Sequence, residues 1–379
     1  MHSEYRSGTV SGENRVVEDE ARLLRRAGRA VHVVAPSIGS GNSAITTGLH
    51  AVWNRRRARQ IHRSVHILAP NVVHAHNLFP ALSPAVIRAT AAERVPLIMS
   101  LHNFRLLCLP ATFFRERQVC EDCLGRSPWP GVVHGCYRGS AVASVPYFVS
   151  LSVHRAAGTF DMVSRFVAVS EFVRNKHIQA GFDPDRVVVK PNFAWPAARR
   201  GGPGEYFLYL GRLSPEKGLD TLLSAWRPSL GRLVVVGTGP QESLLTHPPA
   251  NVEFRGRVAP HEIPILAERA RALVIPSLCY EAFPRAVVEA YAQGVPVIAS
   301  RLGALAEVVE DGVSGVHFEA GNLEALEAAM ERMLDDEESE RLGEGAYRLW
   351  EERYTPEENL RQLEAIYADA MGSVGREPG

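Results

Sequence analysis

Twice along this chain, short apolar runs alternate with amphipathic helical stretches, and the two series are separated by one segment that cannot hold a regular element. In the first series, Val16, Val17, Ala21, Leu23 and Leu24 fall mainly on one face, predicting a helix over 14–26. Strands are predicted at 30–35, 72–75, 96–101, 165–169 and 186–190, and helices at 52–63, 83–91, 142–156 and 170–180. Residues 103–140 are read as irregular, and they carry four of the five cysteines. The segment WPAARRGGPGE at 195–205 is the natural linker, because proline, glycine and small residues break both periodicities. Beyond it, strands are predicted at 206–210, 232–236, 252–254, 272–275 and 295–299. Helices are predicted at 218–226, 264–269 and 284–293, with closing helices near 322–334, 338–350 and 355–371 and a tail at 372–379. Short apolar strands alternating with helices imply parallel sheets covered on both faces. The expected fold is α/β, with two Rossmann-like doubly wound domains facing across a cleft. The expected division is 1–194, linker 195–205, 206–353, a helix at 354–371 crossing back to the first domain, and the tail. Such a domain should open on a buried strand, yet Met1–Ser11 is polar, so the first strand is read as missing and the true start as lying upstream.

Composition narrows the class. Hydrophobic residues make up 46% and charged residues 22% of 379, which excludes a disordered chain. No apolar run is long enough to span a bilayer and no signal-peptide pattern opens the chain, so a cytoplasmic protein is expected. The net charge of zero hides an asymmetry: residues 1–196 hold 24 basic and 13 acidic residues, the remainder 18 and 29. A basic first half suits an anionic acceptor or a membrane surface as well as a plain solvated face. Arg55–Arg57, Arg59 and Arg63 beside Trp53 suit a solvated helix face at least as well as a membrane-facing helix, since that stretch lacks the broad apolar face an interfacial anchor needs. Only three lysines occur: Lys176, Lys190 and Lys217.

Two segments of the second series carry chemistry. Gly211-Arg-Leu-Ser-Pro-Glu-Lys217-Gly218 follows a predicted strand and opens a helix. Arg212 offers a fork of donors and Lys217 a point charge, a natural site for a pyrophosphate. Glu281 precedes a helix expected to start at Pro284, and Glu289 lies two turns further on. Two such carboxylates can accept hydrogen bonds from hydroxyls on two parts of one ligand. In the first series Cys108, Cys120, Cys123 and Cys136 form C-x11-C-x2-C-x12-C, which offers four thiolates to a structural zinc. His74 and His76 are read as strand-end residues, one facing the cleft and one packed.

The ordered set Gly211-Arg212…Lys217-Gly218, Gly237-Thr-Gly239, Glu281…Glu289 and Gly303-Ala-Leu-Ala-Glu307 resembles the retaining glycosyltransferases of family 4, which have the GT-B fold. Ser11-Gly12-Glu13-Asn14, His74-Ala-His76, Ser100-Leu-His102-Asn103, Ser170-Glu171 and Pro191-Asn192 extend the resemblance over nearly the whole chain. The resemblance implies a nucleoside diphosphate sugar donor and a glycan or lipid-linked acceptor, with possible peripheral membrane contact and no nucleic acid. It implies Arg212 and Lys217 on the diphosphate, Glu281 on the sugar, Glu289 on the ribose, and Arg257 and Val258 around the base. Gly211, Gly237 and Phe283 complete the donor side; Gly12 brings backbone amides to the phosphate, and His102 sits near sugar and acceptor. Glu281, His102, Arg212 and Lys217 are the expected catalytic set, with no cofactor needed for catalysis. Pro284 and Ala304 stand where the family commonly has glycine, and the missing first strand is the larger departure. A nucleotide-sugar epimerase and an inactive nucleotide-sugar-binding protein are the alternatives.

Overall fold

The computed structural model describes residues 1–4, 12–37 and 44–374. In chain order the strands are β1 (Val73–Ala75), β2 (Leu97–Leu101), β3 (Phe114–Arg115), β4 (Gln118–Val119), β5 (Arg165–Ala168), β6 (Val187–Val189), β7 (Tyr206–Leu210), β8 (Leu233–Val236), β9 (Val252–Gly256), β10 (Ala270–Ile275), β11 (Val297–Ser300) and β12 (Gly315–Phe318). The helices are α1 (Gly12–Arg26), α2 (Ala44–Val52), α3 (Arg55–Leu68), α4 (Ala85–Ala91), α5 (Pro130–Val133), α6 (Ala141–Ala156), α7 (Glu171–Gln179), α8 (Leu219–Ala225), α9 (Glu262–Glu268), α10 (Arg285–Tyr291), α11 (Leu305–Val308), α12 (Leu323–Arg332), α13 (Asp336–Arg353) and α14 (Pro356–Val374). The chain forms two compact units: 1–112 with 121–190 and 360–379, and 113–120 with 191–359. The division therefore falls inside α14, and a short segment of the first series belongs to the second unit.

The first unit is built on a parallel sheet of order β1-β2-β5-β6. Strand β2 is buried along its whole length, as a continuous apolar run in a covered parallel sheet must be. Ile98 and Val167 pack with Ala370, Ile366 and Tyr367 of α14. The polar start of the chain takes part in this fold. His76 N–H donates to the Met1 carbonyl (2.9 Å), while His2 and Glu4 N–H donate to Val34 (3.0 Å) and Pro36 (3.1 Å) carbonyls. Backbone bonding ignores side-chain hydropathy, and the buried polar side chains are satisfied: His2 Nε2 lies 2.7 Å from Asn14 Oδ1, and Ser3 Oγ accepts from Ala81 N–H at 3.0 Å. Residues 1–4 thus lie where a first strand was expected and judged absent; residues 5–11 of that reading fall outside the described residues. The strand expected at 30–35 is not a regular strand, and Val33 is exposed there.

The helix expected at 52–63 is α3, which starts at Arg55, and the helix α2 that ends at Val52 was not expected. Asn54 separates them, its Oδ1 accepting from Arg57 N–H (3.1 Å) and its Nδ2 donating to the Ala81 carbonyl (2.9 Å). The stretch read as irregular contains the antiparallel hairpin β3-β4. That hairpin belongs to the second unit, where Arg117 pairs with Asp220 at 2.6 Å and Phe113 meets Tyr280 edge to face at 6.2 Å.

The second unit has a six-stranded parallel sheet of order β12-β11-β10-β7-β8-β9. Its core includes Phe207, Leu219, Leu222, Trp226, Leu233 and Val235. The expected linker carries no regular element but is stitched down: Arg200 N–H donates to the Gln293 carbonyl at 2.9 Å, and its Nη1 donates to Ser339 Oγ at 3.2 Å.

Candidate functional site

In the second sheet the strand order runs outward in both directions from the neighbours β7 and β10. Ligands of doubly wound sheets bind at the carboxyl ends of strands where the order reverses, because the following loops part there. The two loops that leave this point are 211–218 after β7 and 276–284 after β10. Lys217 lies on the first and Glu281 on the second, and they meet: Lys217 Nζ is 2.6 Å from Glu281 Oε1. Ser277 Oγ donates to the same oxygen at 2.6 Å.

Glycine lets these loops touch. A Cβ on Gly218, which has φ +69°, would lie 1.9 Å from the Pro276 carbonyl oxygen; one on Gly237, φ +146°, would lie 1.8 Å from that of Gly211. Leu213 N–H donates to the Thr238 carbonyl (3.0 Å), Leu278 N–H to that of Glu216 (2.9 Å), and Ala304 N–H to that of Glu281 (3.2 Å). Four loops after four strands are thereby fixed around one carboxylate and one ammonium.

Electrostatics keeps both charged. Burial would lower the Lys217 pKa, but Glu281 outweighs it and the ammonium is held above its ordinary value. Burial would raise Glu281, but Lys217, with Ser277, holds the carboxylate below its ordinary value. Burial, with Glu281 nearby, pushes the Cys279 thiol up to about 12, so it is a protonated core group. An ammonium with one tight partner can still turn toward a phosphate, and the carboxylate can accept from sugar hydroxyls.

The other expected donor residues occupy the same strand ends with different exposure. Gly211 follows β7, and Arg212 is exposed, its carbonyl accepting from Tyr209 OH at 3.0 Å. Arg257 is exposed and Val258 half-buried after β9. Phe283 is buried edge to face against Tyr354, with ring centroids 5.9 Å apart. Glu289 lies on α10, paired with Arg285 Nη2 at 3.0 Å. Pro284 caps α10 rather than starting it, since the helix begins at Arg285.

Gly12 and His102 belong to the first unit. Gly12 is exposed at the start of α1, with open space where a Cβ would stand; Ser11 of that loop lies outside the described residues. His102 follows β2 and joins a network that sequence reasoning missed. His76 Nδ1 lies 2.9 Å from His102 Nε2, and His76 Nε2 lies 3.6 Å from Glu20 Oε2. Glu20 Oε1 accepts from the buried ammonium of Lys190 at 2.8 Å. His74 is bonded on both nitrogens, to Tyr367 OH and to Ser100 Oγ, each at 2.9 Å. Burial chiefly pushes the His74 pKa down to about 3 and His76 well below its ordinary value, so both rings are neutral at pH 7. A bare lone pair at His76 Nε2 would face a carboxylate oxygen. The proton therefore belongs on Nε2, and His76 Nδ1 accepts from His102 Nε2–H, which fixes the tautomer of His102. The rarity of lysine was the one sequence signal that pointed to Lys190.

The residues of metal-ligand type fall in separate places. Among the described residues, the group of three metal-ligand-type side chains with donor atoms within 4.8 Å of one another is Glu20, His74 and His76, and it includes none of Cys108, Cys120, Cys123 and Cys136. Cys120 closes the β3-β4 hairpin, its N–H donating to the Phe113 carbonyl at 2.8 Å, and so falls in the second unit, while the other three fall in the first. None of the five cysteines is in a disulfide. The histidine group is itself poorly suited to a cation, since the Lys190 ammonium already neutralises Glu20 and both His74 nitrogens are engaged.

Residues 197–349 match the family model for glycosyl transferases group 1, and residues 10–194 that for glycosyltransferase family 4. The chain belongs to the family 4 glycosyltransferases. Among curated relatives, it is 37% identical over 157 residues to a glycogen synthase of Mycobacterium tuberculosis, a match covering 38% of this chain and 37% of that protein. It is 31% identical over 171 residues to a GDP-mannose-dependent alpha-mannosyltransferase of Corynebacterium glutamicum, covering 45% and 41%. The matched stretches thus span about two fifths of those relatives' lengths. Anabaena HepE, solved in complex with UDP and glucose, superposes with a TM-score of 0.67 at 18% identity over 97% of this chain and 98% of that one. Sucrose-phosphate synthase of Thermosynechococcus elongatus gives 0.68 at 17% identity over 98% and 96%. The fold of this glycosyltransferase is therefore GT-B. Among its described residues no helix is long and apolar enough to cross a membrane.

Proposed function

We propose that this glycosyltransferase moves a hexose-type sugar from a nucleoside diphosphate donor to a glycan or lipid-linked acceptor with retention of anomeric configuration, acting in the cytoplasm in cell-surface polysaccharide or glycolipid synthesis. The observation that carries the reading is the Lys217–Glu281 pair at the switch point of the second sheet. Cleavage of the sugar–phosphate bond leaves negative charge on the diphosphate and oxocarbenium character on the sugar. Lys217 and Arg212 neutralise the first, and Glu281 holds hydroxyls of the second. A leaving phosphate oxygen takes the acceptor's proton while the acceptor oxygen bonds to the same face of the sugar. No protein nucleophile is needed, and the two cations take the part that a divalent ion plays elsewhere.

The test is nucleotide release from UDP-, GDP- and ADP-linked sugars with EDTA present. A uridine donor leads the panel because HepE is held with UDP and glucose, and GDP-mannose follows from the C. glutamicum relative. Release from one donor, cut roughly 10²–10³-fold in Lys217→Ala and in Glu281→Ala, is the expected result. Donor-induced thermal stabilisation without release would leave a binding protein. Recovery of the donor with an inverted sugar carbon would make the enzyme an epimerase.

A further inference from the structure

His76 and His102 stand at the carboxyl ends of the paired strands β1 and β2. Their rings lie close to one plane, with an interplanar angle of 5°. The 5.2 Å between centroids is roughly the 2.9 Å from His76 Nδ1 to His102 Nε2 plus two ring radii. The hydrogen bond therefore runs in line with both rings, along the lone pair of one and the N–H of the other. His74 keeps His76 in that plane: it stacks on His76 with centroids 4.3 Å apart and is itself held at both nitrogens. Behind His76 lies Glu20, whose two oxygens differ. Oε1 accepts from Lys190, whereas Oε2 is buried, makes no hydrogen bond among the described residues and lies 3.6 Å from His76 Nε2.

The array has an inner and an outer end. Lys190 is 2% exposed, Glu20 3% and His76 6%, while His102 is half-buried. Helix α1 grips both ends, since Glu20 is one of its residues and Glu13 Oε1 accepts from Asn103 Nδ2, next to His102. Stability alone does not call for such an array: a well-packed apolar pair of like volume would serve as well as the buried ions. The unused lone pair at Glu20 Oε2 fits a working site, where hydrogen bonds are often long in the free enzyme and tighten when ligand binds. The order of protons follows from charge. His76 turns Nε2–H toward the carboxylate and accepts at Nδ1, so His102 keeps a proton on Nε2. A neutral His102 then has none on Nδ1, and through that atom it accepts from a hydroxyl and cannot donate.

We propose that Glu20 and His76 are positioning residues for the transfer step: they hold His102 in one orientation and one tautomer, so that its Nδ1 accepts from a hydroxyl of the donor sugar. The opposite tautomer would set an N–H against the hydrogen of that hydroxyl. Glu20 and His76 touch no ligand themselves and act only through His102. The proposal rests on the donor reading above, with His102 beside the sugar, but the tautomer can be measured without any turnover.

The experiment reads tautomer and rate together in the full chain. Nitrogen-15 NMR of protein labelled in histidine, with His102→Gln identifying the signals of that ring, should show His102 protonated at Nε2 and bare at Nδ1. His76→Leu removes the acceptor and keeps a buried apolar side chain. Both nitrogens of His102 should then share the proton, and kcat for nucleotide release should fall by up to about 100-fold with the donor KM unchanged. His76→Asn offers Oδ1 in place of Nδ1 and should restore the single tautomer and most of the rate. Glu20→Leu with Lys190→Met removes the carboxylate without stranding the ammonium and should scatter the tautomer as His76→Leu does. A wild-type His102 with its proton on Nδ1, or shared between both nitrogens, would overturn the proposal whatever becomes of the donor reading. So would wild-type turnover in His76→Leu alongside an inactive Lys217→Ala. Equal losses in His76→Leu and His76→Asn, with lowered unfolding midpoints in both, would reduce the array to core packing and overturn it as well. Release that survives Lys217→Ala would overturn the donor reading instead, and the transfer role of Glu20 and His76 with it.

Discussion

A buried ammonium and a buried carboxylate, Lys190 and Glu20, decide the polar character of the first unit's core. Lys190 follows β6 and Glu20 sits on α1, so their pairing ties the last strand of the sheet to the first helix. Lys190→Met should lower stability by about 3–5 kcal/mol in urea unfolding, because it leaves Glu20 as an uncompensated buried charge. Adding Glu20→Leu to that variant should recover part of the loss; no recovery would mean that packing of the lysine stem dominates. The buried histidines set a pH dependence. His74 is held down to about 3 and His177 to about 4, and His76 well below 6.5, chiefly by burial. In the unfolded chain they take protons near pH 6.5. Between that value and about 4 the unfolded state thus binds more protons, and stability falls as pH falls. Each histidine steepens the decline by up to about 1.4 kcal/mol per pH unit. Glu20, whose pKa is lowered by Lys190 against the effect of burial, contributes stability above the ordinary carboxylate range and loses it as pH falls through its folded value. Urea midpoints at pH 7.5, 6 and 5 should drop in that order; equal midpoints would refute the burial argument.

Elements were legible where hydrophobic period and turn residues agreed. The five strands expected after 205 all exist within a few residues, since a parallel sheet covered on both faces shows as plain apolar runs. What escaped was set by tertiary contact. Strand β12, Gly315–Phe318, is four residues long and starts on a glycine, so no run announces it. The β3-β4 hairpin is built from two-residue strands that carry charge and no alternating pattern, and Asp220 and Tyr280, remote in sequence, meet its residues. Residues 30–35 look like a strand because Val31, Val33 and Val34 are β-formers, but they make no regular ladder. The Lys217–Glu281 pair was legible as two separate segments; their 2.6 Å contact and the part of Ser277 were not, because serine in a loop has no signature. The loop elements make a sharp prediction. Gly218→Ala puts a Cβ 1.9 Å from a carbonyl oxygen at positive φ, so the loop must move. The variant should lose nucleotide release at least as fully as Lys217→Ala, with a lowered unfolding midpoint. Gly12→Ala, in open space, should leave the midpoint unchanged. A Gly218→Ala enzyme with ordinary activity would show that the tight approach of the two loops is dispensable.

At the scale of the molecule, the charge asymmetry and the division into units coincide: the basic half of the sequence supplies most of the first unit, the acidic half most of the second. An acidic domain that takes a diphosphate must concentrate its cations at the site, and Lys217 is the sole lysine after 190. This separation of tasks can be read by where a nucleotide protects the backbone. Hydrogen exchange with UDP at about a hundred times its Kd should slow in 211–218, 237–239 and 276–289. Stability should rise by about 2.7 kcal/mol, the mass-action value for that excess. The amides of β1 and β2 should show only the uniform slowing that any ligand gives through global stability. Lys217→Ala should abolish the local protection and, with binding lost, the uniform slowing in the first unit as well. If instead the amides after β1 and β2 were protected and those after β7 and β10 were not, the nucleotide would belong to the first unit. The Lys217–Glu281 pair would then be no more than a latch between two loops of the second.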